Sequence, residues 1–440
     1  MTTQIRAQER NQKIIKTAWS GLAAKIITVS VSLVMVPLSV HYLGKEQYGL
    51  WVAVSSLVAM LGFMDGGAGN AVINLIAHSA GAKDTDLPKI VSTAFFSLLA
   101  LALFGCLLFM AGFPFVSWGK LLGVSESSSL TELNAVVIIV GIFFFVSMFV
   151  TLVGKIQRGL QEGNLDNFWT ALAAILSLIF VYIAIQNNVS LLGFVITFLV
   201  APLLAYLASN IHYFFIRRKD LRPQLGRFDR VIAKNLFAVG GMFFVLQIAV
   251  VLQGQADNVI IANMLGPAAV TDYSICMKLF LIPPMLFGLL LTPLWPAYRE
   301  AIGSGDMQWV KQIFIKSMRA ALLISLPSAI LLVLFGGQVV ALWVNHGVVP
   351  SAGLLIGCGL WMVFLIIGSA LSTFFNGMQI VKFQIYCALF TALLNISLTI
   401  YLVSTIGSSG AVFGSAIAWF LCTLIPYIFK LNILFKTIVV

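Results

Sequence analysis

The chain has 440 residues, of which 60% are hydrophobic and only 9% are charged, and its mean hydropathy is +1.02. A soluble domain carries about 25% charged residues, so the composition excludes a soluble globular protein. The formal net charge of +11 could indicate a nucleic-acid partner, but the positions of the basic residues, given below, argue against one. The five cysteines lie in apolar runs without ligand-like spacing, so neither a disulfide framework nor a metal site is expected.

Apolar runs long enough to cross a bilayer recur along the whole chain. A hydrocarbon core of about 30 Å needs about 20 apolar residues per helix. We therefore expect an all-α polytopic membrane protein with twelve transmembrane helices. The predicted spans are residues 17–42, 48–77, 90–112, 133–154, 168–186, 191–215, 235–264, 271–297, 317–336, 352–375, 383–403 and 410–431.

Basic residues fall almost entirely on one side of these spans. If the N-terminus is cytoplasmic, the cytoplasmic segments and their span ends hold 22 of the 26 Lys and Arg residues. The positive-inside rule then predicts that both termini are cytoplasmic. The excess charge is thus a topology signal, and no nucleic-acid partner is expected.

The two halves of the chain repeat each other. "YLGKEQYGLW" (42–51) follows the first span as "MLGPAAVTDYSI" (264–275) follows the seventh, and "RGLQ" (158–161) corresponds to "NGMQ" (376–379). An even number of spans per half makes the copies parallel, as in many transporters. We expect an N-terminal six-helix lobe (1–215), a basic cytoplasmic linker (216–234) and a C-terminal six-helix lobe (235–440).

Two local patterns predict packing and surface. Gly410, Gly414 and Ala418 form a small-residue stripe suited to close helix contact. The linker carries seven basic residues from Arg217 to Lys234. It could lie as an interfacial helix attracted to anionic lipid, or it could be a connection anchored by positive charge.

Away from the ends of the predicted spans, four ionisable side chains remain inside them: Lys25, Asp65, Asp257 and Lys278. Each costs about 2.5–3.5 kcal/mol on insertion scales, so each should be paired or functional. Counted from turns near residues 45 and 267, Lys25 and Asp65 share one depth, and Asp257 and Lys278 share another. The spacing predicts two Lys/Asp pairs, which serve either as structural ion pairs or as functional charges.

The second predicted span contains "LGFMDGGAGN" (61–70), which surrounds Asp65 with four glycines: Gly62, Gly66, Gly67 and Gly69. Glycine permits close helix approach and tolerates a helix break that lines a cavity. Two interpretations stay open: a bending, gating helix and a plain packing notch.

The twelve spans, "LGKEQYGLW" (43–51) and the Asp-Gly-Gly-x-Gly-Asn-Ala run (65–71) resemble the polysaccharide transporter family. That family belongs to the multidrug/oligosaccharidyl-lipid/polysaccharide exporter superfamily. The likeness covers nearly the whole chain and is strongest to O-antigen flippases, which move undecaprenyl-diphosphate-linked repeat units. The chain has no room for the two additional helices of lipid II flippases.

The resemblance implies two six-helix lobes around a V-shaped central cavity that opens alternately to each side. It also implies that Lys25 and Lys278 attract the diphosphate of a lipid-linked oligosaccharide. If the Lys/Asp pairs are functional rather than structural, Asp65 and Asp257 are expected to couple transport to a proton or sodium gradient. No other cofactor is expected. Membrane lipids are expected partners, and other polysaccharide-assembly proteins are further candidates.

Two other functions compete with this one. A multidrug exporter of the same superfamily takes cationic substrates and favours acidic cavities, which the two lysines argue against. A membrane glycosyltransferase, polymerase or ligase should place catalytic residues on large periplasmic loops, and the predicted periplasmic loops here are short and carry few charges. We therefore expect a transporter rather than an enzyme.

Overall fold

The computed structural model describes residues 2–60, 69, 71–73, 75–76, 79, 86–124, 127–291, 294, 298, 301–302, 306–344, 348–378 and 380–438. Every regular element among these residues is a helix, which confirms the predicted all-α class. The α-helices are α1 (Thr2–Met60), α2 (Leu87–Gly112), α3 (Trp118–Leu122), α4 (Ser127–Val150), α5 (Leu152–Gly159), α6 (Gly163–Gln186), α7 (Leu191–Ile211), α8 (Arg230–Leu265), α9 (Pro267–Phe280), α10 (Ile282–Leu291), α11 (Met307–Val344), α12 (Ala352–Gly377), α13 (Val381–Ile406), α14 (Ser409–Trp419) and α15 (Ile425–Ile438).

The helices have the length that a bilayer demands. Among the described residues, 10 helical stretches are long and apolar enough to cross a membrane. The first of them includes both sides of a break in α1 at Gly44. Helix α8 covers the predicted seventh span, while part of the predicted second span lies outside the described residues. The count of twelve stays a prediction.

The internal repeat is visible in the backbone. Gly44 breaks α1 with φ 74° and ψ 171°, and Gly266 separates α8 from α9 with φ 84° and ψ 167°. Positive φ is readily adopted only by glycine. The two predicted hairpin turns therefore have the same conformation at the same point of each half, which confirms their correspondence.

The chain divides into two compact units. Unit 1 comprises Met1–Tyr42, Val58–Gly119 and Ser125–Gln247, and unit 2 comprises Leu43–Leu57, Lys120–Val124 and Ile248–Val440. Unit 2 thus includes the segment that follows the first hairpin turn. The lobe boundaries expected from the sequence (1–215, 216–234 and 235–440) stay a prediction.

Close packing in unit 2 follows from the predicted small-residue stripe. A Cβ on Gly410 would lie 2.3 Å from the backbone carbonyl carbon of Leu402, and one on Gly414 would lie 2.9 Å from the backbone nitrogen of Thr399. Helices α13 and α14 can therefore approach each other only because these positions lack side chains. Their contact places polar residues of both helices side by side.

The basic segment between α7 and α8 is folded onto unit 1. A π-helical turn (His212–Arg217) continues α7, and two 3-10 turns follow at Lys219–Leu221 and Leu225–Arg227. No interfacial helix forms over these described residues. The segment is a docked connection, held by Leu221, whose side chain is fully buried.

The contact at Gly410 gives a stability prediction. Gly410→Ala should lower the free energy of unfolding by about 1–3 kcal/mol, the usual cost of overpacking, because the opposing atoms belong to the Leu402 backbone and cannot rotate away. Thermal unfolding in detergent measures the effect.

The control is Gly112→Ala, because a Cβ at Gly112 meets nothing within 4 Å. Its melting temperature should equal or exceed that of the wild type. Equal melting temperatures for both variants would show that α13 and α14 are not in close contact.

Candidate functional site

A buried carboxylate in unit 2 lies among hydroxyl groups. Asp257, Tyr273, Asn395, Thr399 and Ser415 are each at most 5% exposed, and together we call them the Asp257 cluster. Tyr273 Oη and Ser415 Oγ each lie 2.9 Å from Asp257 Oδ2, and Thr399 Oγ1 lies 3.2 Å from Oδ1. Hydroxyl donors thus surround the carboxylate.

Four helices bring the cluster together. Asp257 is on α8, nine residues before Gly266, and Tyr273 is on α9, seven residues after it. The hairpin turn therefore places these two side chains at similar depth. Asn395 and Thr399 lie one turn apart on α13, and Ser415 comes from α14.

The cluster has fewer protons than contacts. Asn395 Oδ1 accepts from Thr399 Oγ1 at 3.2 Å and from Ser415 Oγ at 3.0 Å, besides the three contacts to Asp257. Five contacts between oxygens thus share the three hydroxyl hydrogens of Tyr273, Thr399 and Ser415. At least two contacts bring oxygen lone pairs together, and an added proton or small cation would stabilise that arrangement.

The Asn395 amide provides an alternative arrangement. Its Nδ2 is buried and makes no hydrogen bond within the described part of the chain. Rotating the amide by 180° would turn its two N–H donors toward Thr399 and Ser415, whose hydroxyls would then donate to Asp257. In that orientation two N–H and three O–H hydrogens serve the five contacts, so the cluster is satisfied without an added charge.

The predicted pair between Asp257 and Lys278 is wrong. The five ion pairs among the described residues include neither side chain. Lys278 lies twelve residues after Gly266, whereas Asp257 lies only nine residues before it. At about 1.5 Å per residue, Lys278 is about 4–5 Å deeper in its helix, and Tyr273 takes its predicted place.

Lys278 instead contacts a tyrosine from the first hairpin. Its Nζ lies 2.7 Å from Tyr48 Oη and 5.4 Å from the centre of the Tyr48 ring. Near that contact along the same two segments, Lys45 Nζ forms a 2.7 Å ion pair with Asp272 Oδ2. Both contacts join α9 to the segment Leu43–Leu57 within unit 2.

The other predicted site residues lie in unit 1 or outside the described residues. Lys25 is exposed on α1. Asp65 and the glycines Gly62, Gly66 and Gly67 lie outside the described residues, so the Lys25–Asp65 pair stays a prediction.

Gly69, the last predicted gating glycine, is helical and buried. It lines a cavity of about 170 Å³ in unit 1, together with the polar side chains of Ser147, Thr151 and Lys155. This polar cavity was not predicted, because Lys155 had been counted only as a topology signal beyond the fourth span.

Sequence reasoning also missed the partners of Asp257. A usable signal exists on α13, where Thr391, Asn395 and Thr399 recur every four residues in an apolar span and so share one helix face. Ser415 follows Gly414 of the small-residue stripe. Tyr273 carries no comparable signal, since a tyrosine near a span end is ordinary.

Comparison with known proteins adds a family to this geometry. The family model described as "Polysaccharide biosynthesis protein" matches residues 14–302, and the model described as "MatE" matches residues 243–401. A Shigella flexneri protein named as an O-antigen transporter is 24% identical over 426 residues, which cover 92% of this chain and 94% of that relative. A Yersinia pseudotuberculosis protein named for O-antigen export is 22% identical over 295 residues, which cover 65% of each chain.

Solved structures with the same fold include two transporter classes. An inward-facing multidrug resistance MATE family transporter aligns with a TM-score of 0.75 at 16% identity, over 94% of this chain and 99% of that structure. The lipid II flippase MurJ, in an inward closed conformation, aligns with a TM-score of 0.69 at 18% identity, over 94% of this chain and 87% of that structure. At these identities the likeness shows the fold. Because the polysaccharide biosynthesis model matches more than half of the residues, the chain belongs to that family of membrane transporters, within the multidrug/oligosaccharidyl-lipid/polysaccharide exporter superfamily.

Proposed function

We propose that this protein is a flippase for undecaprenyl-diphosphate-linked oligosaccharide repeat units of the O-antigen type. It moves them from the cytoplasmic to the periplasmic leaflet of a bacterial inner membrane, with both termini cytoplasmic. The observation that carries the proposal is the polysaccharide biosynthesis match over residues 14–302. The names of the Shigella and Yersinia relatives supply the substrate class.

Transport in this proposal proceeds by alternating access. The folds shared with the MATE transporter and the lipid II flippase support it. Lys25 and Lys278 attract the diphosphate. Lys25 is exposed on α1. The Lys278 ammonium donates to the Tyr48 hydroxyl and forms no ion pair with a carboxylate among the residues that the structure describes.

The Asp257 cluster is the proposed coupling site for a proton or a sodium ion. A carboxylate at bilayer depth without a cationic partner is costly, and the surplus of oxygen lone pairs favours a positively charged occupant. Occupation would hold α8, α9, α13 and α14 together through Asp257. Departure of the ion would let the Asn395 amide rotate and complete the hydrogen bonds instead, so the ion biases one of two packings.

A multidrug exporter is the second candidate. The MatE match over residues 243–401 and the MATE-like fold favour it. The polysaccharide biosynthesis match covers more of the chain, and Lys155 in the unit 1 cavity suits an anionic ligand better than a cationic drug. We do not propose an enzyme, because the names of the Shigella and Yersinia relatives describe transport or export.

Deleting the gene in its native host tests the substrate class. Lipid-linked repeat units should accumulate on the cytoplasmic leaflet, surface polysaccharide should be lost, and drug susceptibility should not change. The measurement is lipid-linked sugar labelled from each side of sealed membrane vesicles. Raised drug susceptibility with normal surface polysaccharide would instead establish the exporter.

Substitutions at the Asp257 cluster test the coupling site. Two changes should each raise the melting temperature of the purified wild-type protein: replacing potassium with sodium at constant ionic strength if the ion is sodium, or lowering the pH if it is a proton. An ion that binds only the folded state stabilises that state. Asp257→Asn keeps the size of the side chain and should lose that ion-dependent rise.

Thr399→Val removes a hydroxyl that contacts Asp257 at 3.2 Å. It should strengthen proton affinity about tenfold if the ion is a proton, because the carboxylate loses a hydrogen-bond donor, and it should weaken sodium affinity by a similar factor if the ion is sodium, because an oxygen ligand is lost. One hydrogen bond to a charged group is worth on the order of 1.5 kcal/mol. The matched control is Thr391→Val on the same helix, where the hydroxyl contacts Thr423 at 2.8 Å and not Asp257. It should keep the full ion response. If Asp257→Asn responds to both ions as the wild type does, the coupling site is elsewhere.

Lys278 can be tested against its tyrosine partner. Lys278→Ala should lose most transport at unchanged protein level, because it removes the cation that attracts the diphosphate. Tyr48→Phe keeps the ring beside the ammonium and removes only the hydroxyl, so it should retain most transport. Equal losses in both variants would mean that Lys278 acts as a structural fastener for residues 43–57. The readout is surface polysaccharide normalised to membrane-inserted protein.

A further inference from the structure

The connection between α7 and α8 is a positioned surface. The backbone nitrogen of Gln224 donates to Ser92 Oγ at 3.2 Å, and that of Asp229 donates to Thr93 Oγ1 at 3.0 Å. The Leu221 side chain is fully buried in the same hydrophobic cluster as Tyr213. Three separate contacts therefore fix the segment onto unit 1.

The outer face of this segment mixes apolar and cationic side chains. Phe215, Ile216, Leu225 and Val231 are 50%, 68%, 71% and 68% exposed. Four basic residues between or beside them are also exposed: Lys219, Arg222, Arg230 and Lys234. We call these eight residues the basic platform. Exposed apolar groups interleaved with cations are typical of a surface at the membrane interface.

The described residues do not neutralise the positive charge of the platform. Residues 217–234 hold seven Lys and Arg against two Asp, an excess of five positive charges. Arg217 pairs with Glu162 at 3.2 Å, and Arg218 pairs with Asp220 at 2.8 Å. The hydrogen bond from Arg218 lowers the pKa of the Asp220 carboxyl, so this pair stays ionised at neutral pH. Asp229 Oδ1 accepts from the first backbone nitrogens of α8.

The four platform cations form no ion pair within the described part of the chain. The guanidinium carbon of Arg222 lies over the Phe215 ring, 4.4 Å from its centre. At a membrane interface, an apolar ring lies toward the acyl chains while a charged group remains among the phosphates. The contact between Phe215 and Arg222 suits that arrangement.

We propose that the basic platform binds the headgroups of anionic phospholipids in the cytoplasmic leaflet. Charge complementarity selects this occupant, and the exposed apolar side chains enter the acyl boundary beside it. The binding holds the connection between α7 and α8 at the membrane surface. This inference goes beyond the proposed function, because it concerns resident lipid and not the transported molecule; it takes the membrane side from the proposed topology.

The test measures the affinity of the full-length protein for phosphatidylglycerol in phosphatidylcholine nanodiscs or micelles. Each Lys or Arg near an anionic surface is worth about fivefold in affinity. The variant Lys219→Gln with Arg222→Gln, Arg230→Gln and Lys234→Gln should therefore bind phosphatidylglycerol more than a hundredfold more weakly. Raising the salt from about 0.1 M to 1 M should weaken wild-type binding, since screening shortens from about 10 Å to 3 Å.

A matched control removes four other exposed cations: Lys311→Gln, Lys316→Gln, Arg319→Gln and Lys382→Gln. It should keep most of the affinity. If the fourfold variant does not fold, the double variant Arg222→Gln with Lys234→Gln provides the same test. Its affinity for phosphatidylglycerol should be about twenty-five-fold weaker than that of the wild type. The proposal is overturned by wild-type affinity in the platform variant, by an equal loss in the control, or by a soluble lipid diphosphate that displaces phosphatidylglycerol from the wild-type protein.

Discussion

The burial of one carboxylate among hydroxyl groups positions four helices of unit 2 against one another. A charged group at bilayer depth costs about 2.5–3.5 kcal/mol on insertion scales unless it is satisfied, and Asp257 is satisfied by Tyr273, Thr399 and Ser415. These partners come from three helices besides its own, so the carboxylate fixes how α8, α9, α13 and α14 meet. The same carboxylate is the proposed coupling site.

Glycine places the helices for that contact. The positive φ of Gly266 turns α9 back along α8, and the missing Cβ of Gly414 lets α14 approach Thr399. A side chain at Gly414 would clash with the Thr399 backbone, and one at Gly266 would strain the positive φ of the turn. The turn at Gly44 repeats the geometry of Gly266 in the first half of the chain, where it positions Tyr48 toward Lys278.

Helix class, both hairpin turns and the small-residue stripe could be predicted from the sequence, because bilayer thickness and backbone sterics act locally. The pairing of Asp257 could not, since counting residues from a turn gives depth but not the face of the helix on which a side chain lies. The hydroxyl partners of Asp257 were not predicted, because the sequence argument assumed that a buried carboxylate pairs with a cation. The periodic Thr391, Asn395 and Thr399 held the missing information. For Asp65 and its glycines, the interpretation still rests on the sequence alone.

The central claim, that an ion gradient drives a lipid-linked oligosaccharide across the membrane through this protein, is tested most directly in proteoliposomes. The measurement is the translocation rate of a labelled lipid-diphosphate oligosaccharide under an imposed sodium or proton gradient, with an ionophore to collapse it. The account predicts that one of the two gradients accelerates translocation and that its ionophore returns the rate to the basal value. Translocation at the same rate with and without both gradients would contradict it.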